Sequence, residues 1–253
     1  MAASRQRVGV AIAPMREAPR TAAVRVSEAL FGEIFIVEDE RDGWARGRLE
    51  TDGYGGYLPA GALDEPGPPA SHAVAVPASF LYPAPDLKTM PLAALALGSR
   101  VTPRGARCGG FVEIVGGGWL FAAHLRPLDD PVPDFVALAE RFLGAPYLWG
   151  GRSLWGIDCS GLIHSVLRAA GIPAPRDSAE QADALGAPLA AGTPLRRGDL
   201  AFFPGHVGLM LDTERLLHAN AWDMAVSIHP LAEVIRRIGE KEARPLSGRR
   251  RIP

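Results

Sequence analysis

The sequence predicts an α+β chain in which two small β-barrels precede a domain of helices packed on an antiparallel sheet. Three observations carry this. Up to residue 128, short apolar runs alternate with glycine turns every eight to twelve residues, a spacing that suits small barrels rather than helices. Two proline-rich stretches, 65–71 (EPGPPAS) and 129–133 (DDPVP), forbid regular structure where linkers belong. Beyond the second stretch, apolar residues recur at helical spacing. The domains implied are 1–64, 72–128 and 131–253.

Composition narrows the partners. The 253 residues are 47% hydrophobic and 22% charged, well inside the globular regime. A net charge of −1 supplies no basic field to recruit nucleic acid. No apolar run approaches the roughly 18 residues of a membrane span. Neither nucleic acid nor a membrane is therefore an expected partner, and we expect a monomer. The apolar piece 8–13 is short, contains Gly9 and is followed by charge, so no signal segment is expected. Two cysteines, Cys108 and Cys159, read better as free thiols than as one bridge, which points to the cytoplasm. The C-terminal run Arg249-Arg250-Arg251 reads as solvated, and the last dozen residues as a surface tail.

The elements follow in order. Residues 33–37 (EIFIV), 44–49 and 54–58 read as strands, joined by turns at 39–43 and 51–53. The segment 72–128 echoes the first: SEALFGEIFIVED matches AALALGSRVTPRG at an offset of 66, and GYLPAGAL matches GWLFAAHL at 62. The echo suggests a duplicated module of some sixty residues. Residues 135–143 are helical in period, with Phe135, Leu138, Ala139, Phe142 and Leu143 on one side. Ser178 and Gln181 form a capping-box pattern that opens a short helix over 178–185. Residues 200–203, 207–211 and 215–219 read as strands, and 231–238 as an amphipathic helix.

The stretch 146–161, PYLWGGRSLWGIDCSG, is the chemical centre of the chain. It holds two tryptophans, four glycines and one of the two cysteines. The apolar spacing of Leu162, Ile163, Val166, Leu167 and Ala170, ended by Gly171, places Cys159 in the first turn of a helix. A thiol there meets the positive end of the helix dipole and unpaired amides, which favour the thiolate. Six histidines compete to be its partner. His164 lies five residues on, about 140° around the helix, and cannot face the sulfur. His72 and His124 fall in the β modules, and His229, before Pro230, reads as a loop residue. His206 and His218 flank the turn Asp212-Thr213-Glu214 and come opposite or diagonal on one face of a hairpin. Together with the thiol they suggest nucleophile, base and orienting group. A metal site, which wants three or four close ligands, and a bare pair of sheet histidines remain as alternatives.

These motifs (PYLWGG, GIDCSG, RGDLAFFPGHVGLML and LLHANA) resemble the catalytic domain of NlpC-type cysteine peptidases, papain-like enzymes that cut cell-wall peptides. The resemblance runs from Phe135 to about Ile238. With two SH3-like barrels in front, the chain resembles the intracellular γ-D-glutamyl-L-diamino acid endopeptidases that recycle murein peptides. It implies Cys159 as nucleophile, His206 as base, His218 as orienting residue and Tyr147 as an oxyanion donor, with Trp149 among the substrate-binding residues. The implied substrate, a murein peptide beginning L-Ala-γ-D-Glu, carries a free ammonium and a free carboxylate. Asp158 is placed to pair with the ammonium or to cap the helix. Ser160 and Ser178 are expected at the carboxylate, with Asp177 shaping the pocket and Arg176 as a charge-matched addition. In such relatives the first barrel closes the pocket, and Glu28 with Tyr54, ahead of Tyr57, match its acidic and tyrosine residues. No metal or cofactor is expected. The reading that competes with a peptidase is a silent peptide-binding module, or an acyl transferase or amidase using the same thioester.

Overall fold

The computed structural model describes residues 3–253; Met1 and Ala2, which open the expected first barrel, lie outside the described residues. The chain forms two compact units that meet between Val132 and Pro133, inside the predicted 129–133 linker.

In the first unit, strands β1 (Ser4–Val8), β2 (Ile12–Arg16), β3 (Arg25–Leu30), β4 (Ile34–Arg41), β5 (Trp44–Leu49), β6 (Gly55–Pro59) and β7 (Leu63–Asp64) make one antiparallel sheet. Its order is β3-β2-β6-β5-β4-β1-β7. Along β5, Ala45, Gly47 and Leu49 point inward while Arg46 and Arg48 point out, the period of two that a half-buried strand requires. The sheet curls round Val8, Met15, Phe35, Leu49 and Leu58. The second module holds β8 (His72–Val74), β9 (Ala78–Leu81), β10 (Ala93–Ala96), β11 (Arg100–Val101), β12 (Pro103–Cys108), β13 (Phe111–Ile114), β14 (Trp119–Phe121) and β15 (Leu125–Pro127). They form three small antiparallel sheets about Val74, Leu95, Val101 and Leu120. Both modules end in a strand, a single 3-10 turn and a strand, at 55–64 and 119–127. Gly32 and Gly98, 66 residues apart, both take left-handed backbone (φ +76° and +90°). These are the features behind the expected duplication. The modules touch where Arg100 donates its amide to the Phe31 carbonyl at 2.7 Å. A side chain on Gly32 would come within 2.0 Å of the Arg100 carbonyl, so this contact demands glycine.

The second unit contains α1 (Phe135–Glu140), β16 (Arg152–Ser153), β17 (Gly156–Ile157), α2 (Cys159–Ala169), α3 (Ser178–Ala184), β18 (Ala187–Pro188), β19 (Asp199–Phe203), β20 (His206–Met210), β21 (Arg215–Asn220), β22 (Ala225–Pro230), α4 (Leu231–Gly239) and β23 (Gly248–Arg251). Six strands form an antiparallel sheet in the order β18-β23-β19-β20-β21-β22. Helix α2 packs on β20 and β21, burying Leu162, Ile163, Val166 and Leu167. Ala201, Phe203, Met210 and Leu216 of the sheet pack with Val234 and Ile238 of α4. Among the described residues no helix is long and apolar enough to cross a membrane.

Three expectations are corrected. Helix α1 stops at Glu140, three residues early, and Leu143 is 55% exposed rather than part of its apolar side. The α3 capping box does not form: Asp177 is the N-cap, and the buried Gln181 amide donates instead to the Ser160 and Pro175 carbonyls. The C-terminus does not trail over the surface. Strand β23 pairs with β18 and β19, and Arg251 reaches Asp199 Oδ2 at 2.7 Å while Arg249 donates to the Ala190 and Thr193 carbonyls. An otherwise open strand edge is closed by the last residues of the chain. The Arg251 guanidinium holds the Asp199 carboxyl below the usual carboxylate range against the effect of burial. Arg251→Ala should leave Asp199 without its ion-pair partner and lower the midpoint of denaturant unfolding at pH 7. The loss should shrink as pH falls below the carboxylate range, because a depressed carboxyl contributes its stability only while ionised.

Candidate active site

The site is built on the N-terminus of α2. Asp158 is its N-cap, and Oδ1 accepts from the Gly161 amide at 2.7 Å. Oδ2 accepts from the Gly150 amide, also at 2.7 Å. Arg176 donates to both carboxylate oxygens at 3.0 and 2.7 Å, and further to Ser160 Oγ (2.9 Å) and the Gly151 carbonyl (3.3 Å). This network explains the glycines of the motif. A side chain on Gly161 would come within 2.2 Å of the Gly151 carbonyl and 2.9 Å of Asp158 Oδ1.

The network also revises three expectations. Asp158 serves the cap, and its oxygens are filled by protein donors, so no lone pair stands open for a substrate ammonium. Arg176, 2% exposed, is the counter-ion of Asp158 rather than an open carboxylate receptor. The Ser160 hydroxyl, shared between Arg176 and Asp158 Oδ1 (3.3 Å), belongs to the same cluster. Asp177 is exposed and Ser178 half-buried at the start of α3.

Cys159 is 7% exposed and accepts hydrogen bonds from the backbone amides of Val207 and Ser160. Val207 adjoins His206, so the sulfur is held at the start of β20. Burial, reinforced by the Asp158 charge, pushes the thiol up to about 11. Burial therefore works against the thiolate expected from the helix dipole. The Asp158 carboxylate, tied to the Gly161 amide, adds a charge that opposes a second anion, against the two amides at the sulfur. Tyr147 is half-buried, and desolvation with the nearby Cys159 and Asp158 charges raises its phenol to about 12, which keeps it an O–H donor. Trp149 is 62% exposed, which rules out a core role.

On the sheet, Leu209 pairs with Leu217 and Met210 with Leu216. That register sets His206 diagonal to His218, on one face. His206 Nε2 and His218 Nδ1 are 2.8 Å apart. Burial lowers His206 to about 4. Burial and the neighbouring His206 and His229 take His218 to about 3. His229, read as a loop residue, lies in β22, with Nδ1 3.0 Å from His218 Nε2 and Nε2 3.4 Å from Asp223 Oδ2. The alternation of AVSIHP, which puts Ser227 and His229 on one face, was the available signal. His164 is fully buried in α2, donates Nδ1–H to the Ala174 carbonyl at 2.9 Å, and takes no part. Among the described residues no cluster of histidine, cysteine and carboxylate side chains has metal-binding geometry. Glu28 and Tyr54 belong to the first unit: Glu28, 3% exposed, accepts from Arg25 at 2.7 Å, and Tyr54 packs on the first module's core.

A thiol on a helix N-terminus, held against a strand that carries an imidazole hydrogen-bonded to a second one, defines a cysteine peptidase of papain-like architecture. The chain belongs to the NlpC/P60 family. The model of that family matches residues 144–237, and the model of a bacterial dipeptidyl-peptidase Sh3 domain matches residues 15–63. The γ-D-glutamyl-L-lysine dipeptidyl-peptidase of Bacillus subtilis is 31% identical over 83% of this chain and 77% of its own length. Dipeptidyl-peptidase 6 of Lysinibacillus sphaericus is 37% identical over 40% of this chain and 36% of its own. Among solved structures, an NlpC/P60 family protein from Bacillus cereus superposes with a TM-score of 0.81 over 99% of this chain and all of that one, at 21% identity. An NlpC/P60 endopeptidase from Photobacterium damselae subsp. piscicida gives 0.66 over 94% and 69%, at 16% identity. Those two likenesses show the fold alone.

Arg176→Met should strand the Asp158 charge and lower stability by about 3–5 kcal/mol in urea unfolding. Adding Asp158→Asn to it should recover part of that loss, since the two side chains share one network.

Proposed function

We propose that the protein hydrolyses the bond between γ-D-glutamate and an L-diamino acid in murein peptides that carry a free N-terminal L-alanine. The observation that carries the substrate is the 31% identity, over most of both chains, to the γ-D-glutamyl-L-lysine dipeptidyl-peptidase of Bacillus subtilis. Release of a dipeptide by such an enzyme requires that the chain N-terminal to the scissile bond end at two residues.

In the reaction we propose, His206 Nδ1 takes the Cys159 proton as the sulfur attacks the γ-carbonyl. The oxyanion accepts from the Cys159 amide and the Tyr147 O–H, donors worth about 2.7–4 kcal/mol each where such groups have been removed. His206 returns the proton to the leaving amine, and water resolves the thioester. The 2.8 Å contact with His218 supports His206 as the base by orienting its ring. Two free cysteines suit a reducing compartment, and we place the enzyme in the cytoplasm, acting on recycled murein fragments as a monomer.

Incubation with L-Ala-γ-D-Glu-L-Lys and its diaminopimelate counterpart, followed by mass spectrometry, should yield L-Ala-γ-D-Glu and the free diamino acid. Acetylating the alanine should lower kcat/KM by about tenfold or more, because a polar pocket loses its partner. Cys159→Ala should be inactive on both. Equal rates on free and acetylated peptide would overturn the amine requirement.

The pH profile is a separate test. Protonating His206 removes the base, and its ring is held down to about 4. Activity should therefore persist to pH 5 and fall only toward pH 4, rather than declining from the ordinary histidine range near 6.5.

A further inference from the structure

We propose that His229 and Asp223 are positioning residues that act through His218 to hold His206 in the one tautomer able to accept the Cys159 proton. The inference rests on the peptidase reading of the site. Its evidence is a continuous row of rings. His206 Nε2 meets His218 Nδ1 at 2.8 Å, His218 Nε2 meets His229 Nδ1 at 3.0 Å, and His229 Nε2 lies 3.4 Å from Asp223 Oδ2.

A hydrogen bond between two neutral imidazoles has two equivalent polarities, and the His206–His218 pair alone does not choose between them. In one, His206 carries its proton on Nε2 and presents the Nδ1 lone pair. In the other, Nδ1 carries the proton and the base is lost. A carboxylate at the end of the row breaks the tie, because it only accepts. Asp223 Oδ2, 3.4 Å from His229 Nε2, then favours N–H on that nitrogen over a lone pair, which leaves Nδ1, 3.4 Å from Ser227 Oγ, to accept from His218 Nε2. His218 Nδ1 in turn accepts from His206 Nε2. Every ring is an Nε2–H tautomer, and the lone pair emerges at His206 Nδ1.

The carboxylate is itself held in place. Asn220 Oδ1 accepts from the amides of Trp222 (3.0 Å) and Asp223 (2.9 Å), and its Nδ2 donates to Ser227 Oγ at 2.7 Å. Ser227 Oγ donates to Asp223 Oδ2 at 2.6 Å. That hydrogen bond, the largest influence on the carboxyl, with the Arg237 charge beyond it, keeps Asp223 below its usual range and so ionised. The groups facing His229 are His218 from β21, Asp223 and Trp222 from the turn, and Ser227 on its own strand. Arg237 of α4 stands over the Trp222 ring at 5.1 Å, and Trp222 lies edge-on to His218 and His229 at 5.9 and 6.4 Å. In the acylation step the S–H bond breaks and an N–H bond forms at His206 Nδ1. That proton leaves with the amine, and no other proton of the row changes place.

The test combines kinetics on the free tripeptide with 15N NMR of histidine-labelled protein, which reports the protonated nitrogen of each ring. His229→Leu should lower kcat by about 100-fold or more, toward the 10⁴ lost when another orienting group was replaced, with KM within about twofold. Its His206 signals should shift toward Nδ1–H. His229→Asn, whose Oδ1 still accepts from His218, should restore most of the rate. Asp223→Asn, at an exposed position, should lower kcat by about tenfold through a mixed tautomer population. A kcat for His229→Leu within about threefold of the parent, with His206 still Nε2–H, overturns the proposal. If His229→Leu does not fold, an Asp223→Asn variant with parental kcat and parental ring signals overturns it instead. Should the parent cleave no murein peptide, the peptidase reading fails on its own, and the ring signals still decide the row.

Discussion

The pairing of Asp158 with Arg176 is the interaction on which the rest of the site depends. One carboxylate caps α2, ties down the loop amide of Gly150 and neutralises a guanidinium that is almost wholly buried. Two opposite charges taken out of water are tolerable only when each finds several partners in good geometry. Arg176 meets that condition with contacts to Asp158, Ser160 and Gly151. Three segments far apart in sequence, the 150–151 turn, the helix start and the approach to α3, are thereby fixed relative to the thiol.

The same pair sets the electrical state of the nucleophile. A cap made by a carboxylate places a negative charge beside the sulfur, opposing the Val207 and Ser160 amides that favour a thiolate. With burial acting in the same direction, the thiol stays protonated, and the imidazoles, kept neutral by burial, stay available. Burial thus disfavours charge on both the thiol and the base. Charge separates only when substrate arrives, which gives the orientation of His206 more weight than the intrinsic acidity of Cys159.

Much of the fold could be read from residue order. Strand β5 falls where alternation placed it, and α2 begins at the cysteine. The second module repeats the Gly32 turn at Gly98. These are local matters, decided within a few residues by side-chain period, by proline and by glycine. Three of the misread features each depend on a distant partner. Gln181 looked like a capping residue until Ser160 and Pro175 claimed its amide. The arginine run looked solvated, yet an open edge on β19 and the Asp199 carboxylate draw it into the sheet. His229 looked like a loop residue because proline follows it, although its strand pairs with β21.

By itself, then, the sequence determined the class of the chain, its division near residue 130 and the placing of Cys159 at a helix start and of His206 and His218 on one hairpin face, because motif spacing and apolar period encode helix starts and hairpins directly. Only the tertiary structure decided how the charges in and around the 146–161 stretch are spent and how far the histidine row extends. Those outcomes turn on which buried donor meets which acceptor across 18 residues for Asp158 and Arg176 and across 11 for His218 and His229. Burial multiplies the value of each such meeting, and no residue's own neighbours in the sequence reveal it.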